Sequence, residues 1–93
     1  MNTEFIDEYK LIHTHYPHYT ILHYTYYYPN SCIKCFLLRL ILKYNVGLIN
    51  NTNSKIDTFI TLIHFFREPV SLSNKNLERL NKIYKTIKED LFN

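Results

Sequence analysis

Between Ser73 and Phe92, Leu77, Leu80, Ile83, Tyr84, Ile87 and Leu91 recur every three or four positions, with Arg79, Lys82, Lys85 and Lys88 between them. That period matches the 3.6 residues of a helical turn, so the segment predicts a helix with one apolar and one charged face. Ser73 supplies a side-chain oxygen to cap it. Such a helix must bury its stripe against other elements, and the rest of the chain holds suitable partners.

The spacing predicts more helices upstream. Asn2 or Thr3 can cap a first one, with Phe5, Tyr9, Ile12 and Tyr16 on one face and Pro17 ending it or starting the next element. Cys32 to Tyr44 follows a Pro29-Asn30-Ser31 turn and is apolar nearly all round, as a central core helix would be. Residues 45 to 53 hold the single Gly and four Asn, which marks a loop. Asn53 or Ser54 then opens a helix with Ile56, Phe59, Ile60, Ile63 and Phe66 inward, ended by Glu68-Pro69 because the residue before Pro avoids the helical region.

Residues 18 to 28 are ambiguous. The run is rich in Tyr and Thr, which favours a strand, yet Ile21, Leu22, Thr25 and Tyr28 also satisfy a helical stripe. A lone strand would leave its hydrogen bonds unpaired, so helix is the preferred assignment. The expectation is a mostly all-α chain, a single domain over 1–93 built as a small four-to-five-helix bundle.

Ninety-three residues suffice for one modest core, and the apolar content of 46% is ordinary for a globular chain. The absence of Ala, Gln and Trp beside abundant Ile, Asn, Lys and Tyr is the bias of an AT-rich genome. The net charge of +3 is spread among acids rather than gathered into a phosphate-tracking stripe. The apolar run Phe36 to Leu42 is broken by Arg39, so no membrane span is expected. The N-terminus lacks a signal-peptide pattern, which makes an intracellular location the expectation. One Gly rules out a glycine-rich phosphate loop, and neither a Ser/His/Asp set nor a carboxylate pair is legible.

Cys32-Ile33-Lys34-Cys35 is the feature that points to a particular chemistry. A two-residue gap lets two sulfurs form a reversible disulfide, and unpaired N–H groups at a helix start stabilise a thiolate. Zinc ligation completed by two of His13, His15, His18 and His23 is an alternative, but no second pair stands at finger spacing. A third is that the cysteines are small buried apolar residues. The redox dithiol is the leading reading and no metal site is assigned.

The order of Tyr9-Lys10-Leu11-Ile12-His13, then Cys32-Ile33-Lys34-Cys35, then Phe59 and His64 resembles the Erv/ALR family of FAD-linked sulfhydryl oxidases. The resemblance covers roughly residues 9 to 67. It implies a helical bundle around a flavin, with Cys32 and Cys35 as the redox pair and Cys35 nearer the flavin. Tyr9, His13, Phe59 and His64 fall at flavin-contacting positions. Phe65 stands where the family has Asn, and Asn30 and Ser31 separate Pro29 from the first cysteine.

The implied activity is thiol oxidation: a thiol-bearing protein substrate reduces the disulfide, Cys35 passes the electrons to FAD, and oxygen receives them. The alternative is a small non-enzymatic phage or mobile-element protein that inhibits a host defence enzyme by binding it, with the Tyr cluster between 16 and 28 as anchor. A third reading is a nucleic-acid-binding module using residues 54–66 and 74–92, although their cations serve equally as a solvated face. A homodimer is compatible with each.

Overall fold

The computed structural model describes residues 3–19, 33–67 and 71–93, with side chains from Glu8 onward in the first stretch. Among these residues it contains four helices and no strand: α1 (Thr3–His15), α2 (Ile33–Asn45), α3 (Thr52–Phe66) and α4 (Asn74–Phe92). The all-α bundle matches the periodicity. Of the ambiguous stretch 18–28, His18 and Tyr19 lie in the turn after α1, and residues 20–28 fall outside the described residues.

Each boundary has a local cause. Asn51 caps α3 reciprocally: its Oδ1 accepts from the Ser54 N–H at 2.8 Å, and its own N–H donates to Ser54 Oγ at 3.2 Å. The cap therefore lies earlier than Asn53 or Ser54, because Ser54 serves as the third helical residue of the box. Ser73 caps α4 as expected, accepting from the Asn76 N–H at 3.3 Å. Helix α2 ends where Gly47 turns to φ +80°. The Gly47 N–H then reaches the Tyr44 carbonyl and the Leu48 N–H the Lys43 carbonyl.

The helix that fills the centre is α3. Its Ile56, Phe59, Ile60, Leu62 and Ile63 are buried, and it packs against both α4 and α1. From α4 come Leu80, Ile83, Ile87 and Leu91; from α1 comes Ile12. Helix α2 departs from the central role that its composition suggested. It buries Leu37, Leu40 and Ile41 and leaves Phe36, Leu38 and Leu42 exposed. Arg39, Lys34 and Lys43 ride on the same outer surface, and keeping them solvated holds α2 at the rim of the bundle.

Phe59 sits at the heart of an aromatic group. Its ring stacks on Tyr84 at 5.2 Å and meets Phe92 edge-on at 5.4 Å. Polar contacts join α1 to the far end of α4. Glu8, 4% exposed, accepts from Lys88 Nζ at 2.7 Å, and the Tyr16 hydroxyl donates to the Leu91 carbonyl. Among the described residues no helix is long and apolar enough to cross a membrane.

Candidate functional site

Cys35 stands in the first turn of α2, exposed and disulfide-bonded. The one other cysteine in the sequence is Cys32, which lies outside the described residues. Placement in the first turn follows from the helix beginning at Ile33, so Cys35 is among the residues whose backbone N–H groups have no intrahelical acceptor. Those groups and the helix dipole favour negative charge, which is what a thiolate released from the disulfide carries. The reading of the cysteines as buried apolar filler does not describe Cys35.

Phe36, the next residue, lies 5.7 Å ring to ring from Phe65 near the end of α3. Its neighbour His64 points to α1, where Tyr9 Oη and His64 Nε2 share a 2.7 Å hydrogen bond with the rings edge to face. Tyr9, His64, Phe65, Phe36 and Cys35 thus form a chain of contacts and sequence neighbours linking three helices at one end of the bundle. Arg67 caps α3 there.

Burial pushes the Tyr9 phenol above its ordinary 10.0, and the nearby Arg67 guanidinium partly offsets this. The phenol is therefore protonated at neutral pH and donates to Nε2 when the imidazole carries its proton on Nδ1. A phenol whose pKa rises on folding stabilises the fold fully below the unfolded value. That contribution is lost as pH climbs from there through the folded value, since the unfolded chain releases the proton first. Tyr9→Phe is expected to cost about 1 kcal/mol at neutral pH, by leaving Nε2 without its donor. It should also flatten the stability decline above pH 10.0. Urea titrations of both proteins at neutral and alkaline pH measure the two effects, and identical alkaline slopes would remove Tyr9 as their source.

The other residues at flavin-contacting positions lie apart from this contact. Phe59 is 0% exposed and enclosed by Tyr84 and Phe92, so it presents no surface to a ligand. His13 is exposed in the last turn of α1. Tyr9 and His64 satisfy one another's facing polar atoms. These four side chains do not line a common cleft, and as arranged they do not fit a flavin. For zinc, no group of three His, Cys, Asp or Glu side chains gathers among the described residues, where His13, His15 and His18 are all exposed; His23 lies outside them.

The nucleic-acid reading meets a specific obstacle. Lys88 is committed to Glu8, so α4 presents one free cation fewer than its sequence suggests. Helix α3 is buried along most of its length.

One feature escaped the sequence reading. A groove of about 830 Å³ runs between α2 and α3. Phe36, Arg39, Leu40 and Lys43 form one wall, Asn53, Asp57, Thr58 and Thr61 the other, and Leu48 and Ile49 close one end. The signal was present as two sets of residues at helical spacing on facing helices, but only tertiary packing shows that they face. Comparison of the chain with known protein families, curated proteins and solved structures gives no match.

Proposed function

We propose that this chain is a thiol–disulfide exchange protein acting on a thiol-bearing protein substrate. One observation carries the reading: Cys35 is disulfide-bonded, exposed and seated in the first turn of a helix. A substrate thiolate attacks Cys32, forming a mixed disulfide and releasing Cys35 as a thiolate that takes up a proton. A second substrate thiolate then attacks the mixed disulfide. Two substrate thiols become a disulfide, and the Cys32–Cys35 disulfide becomes a dithiol. A second disulfide, of a small molecule or another protein, reoxidises the pair by the same exchange in reverse.

The resemblance to FAD-linked sulfhydryl oxidases supports the dithiol half of this chemistry. FAD would supply a route for the electrons to oxygen, but the placement of Phe59 and His13 gives it no cradle, and no step here passes through it. The visible absorption spectrum of the purified protein tests this. The protein is expected to be colourless, to remain so after incubation with excess FAD and gel filtration, and to oxidise a reduced peptide dithiol with one equivalent of its own disulfide. A stoichiometric flavin band, bleached by dithiothreitol and restored by air, would reinstate the flavin-linked oxidase. A disulfide inert to peptide thiols would discard both.

A second reading is a non-enzymatic module that binds and inhibits a host protein. The exposed Leu38 and Leu42 of α2, with Val46 just past its end, favour it, being 45%, 61% and 60% exposed. Most of the Tyr cluster first assigned to that role lies outside the described residues. Alanine at Leu38 and Leu42 separates the readings, since exchange with a small thiol does not need that stripe.

A further inference from the structure

We infer that the groove between α2 and α3 is a docking cleft for an extended peptide in which acidic and apolar side chains alternate. This rests on the exchange reading above and names the class of substrate that the disulfide meets. The groove begins at Phe36, the residue after Cys35, and follows α2 through Arg39, Leu40 and Lys43 to Leu48 and Ile49. Phe36 is the lining residue nearest Cys35 in the chain, so the Phe36 end of the groove is the end on the cysteine side. Its volume of about 830 Å³ falls within the range of ligand-binding clefts.

Its electrostatics select the sign of the occupant. Helix α2 carries Lys34, Arg39 and Lys43 and no acidic residue. Arg39 and Lys43 stand one helical turn apart on the groove wall, and among the described residues neither meets a carboxylate. The opposite wall has one carboxylate, Asp57, and it accepts a hydrogen bond from the Tyr19 phenol. The hydroxyls of Thr58 and Thr61 on that wall donate back to the Ser54 and Asp57 carbonyls, at 2.8 and 2.7 Å, and are not free donors for an incoming anion. The groove therefore offers two cations beside apolar Phe36, Leu40, Leu48 and Ile49.

An extended strand places alternate side chains on opposite sides, with those two residues apart spaced by about 7 Å. Carboxylates at alternate positions can reach Arg39 and Lys43, and apolar side chains of the same peptide can cover Phe36 and Leu40, which stand beside those cations on the α2 wall. A basic peptide brings like charge to the same cations, and a purely apolar one leaves their charge uncompensated.

The test uses the oxidised full chain and a labelled synthetic peptide alternating Glu and Leu, with Ser in place of Cys so that no exchange occurs. A matched peptide carrying Lys for Glu is the control, and fluorescence anisotropy reads the affinity. The acidic peptide is expected to bind at least about tenfold more tightly than the control, with the difference shrinking at high salt. The double variant Arg39→Glu/Lys43→Glu, its helical content checked by circular dichroism, is expected to lose the acidic peptide by a similar factor. No binding, equal binding of both peptides, or undiminished binding by the double variant overturns the cleft.

Restoring Cys to the acidic peptide separates the two ideas. Tight binding with no disulfide exchange removes the exchange chemistry and leaves a peptide site. Exchange at equal rates for acidic and basic thiol peptides keeps the chemistry and removes the cleft.

Discussion

Replacing Phe59 by Ala is expected to cost about 3–5 kcal/mol, a large share of the roughly 5–14 kcal/mol that holds a domain of this size together. The ring is 0% exposed, stacked face to face on Tyr84 and met edge-on by Phe92, so its removal opens a cavity bounded by α3 and α4. Those helices cannot close on the gap without disturbing a core that also holds Ile63, Ile87 and Leu91. Urea unfolding followed by circular dichroism should show the midpoint fall steeply, with the variant partly unfolded in water. Phe59→Leu keeps most of the volume and should lose about 1–2 kcal/mol. The same pair of variants addresses the flavin question. A side chain that held a cofactor would change cofactor affinity more than stability, whereas a core ring changes stability alone. A cost below about 1 kcal/mol for the alanine variant would show that the aromatic stack is not the centre of the core.

The second large effect is chemical. Cys35→Ser is expected to abolish turnover of a peptide dithiol, down to the uncatalysed rate, because no disulfide can re-form within the chain. Since Cys35 is exposed, the serine hydroxyl meets water and the helix should persist, visible as unchanged helical content. The variant retains Cys32 and should accumulate as a mixed disulfide when offered an oxidised peptide, detectable as a mass increase reversed by dithiothreitol. Turnover that survives Cys35→Ser would end the exchange reading, leaving the exposed side of α2 as the surface to pursue.

Sequence periodicity foretold α4 closely, from its Ser73 cap to the buried Leu80, Ile83, Ile87 and Leu91, because a long stripe with charges between its apolar residues admits one orientation. The role of α2 was less legible. Leu38 and Leu42 look as core-worthy as Leu37 and Ile41, and only the positions of α3 and α4 decide which of them is covered. Phe59 shows two signals in conflict. Its spacing with Ile56 and Ile63 marked it as core while the resemblance placed it at a cofactor, and the packing agrees with the spacing. The meeting of Tyr9 with His64 joins residues 55 apart in sequence, which no local pattern encodes. The groove was hidden for a similar reason, since its walls come from separate helices and only their packing brings them face to face.

The fastening of α1 to α4 also sets a timetable. Tyr16 reaches the Leu91 carbonyl across 75 positions, and Glu8 meets Lys88 across 80. While the ribosome is still translating the middle of the chain, Glu8 and Tyr16 lack the helix that would receive their polar groups, and α3 lacks the same helix to cover its apolar side. Local helices form within microseconds, but these closures must wait seconds for synthesis to deliver α4. Until then the nascent chain carries an uncovered apolar face, which makes that interval the one in which a chaperone has something to hold.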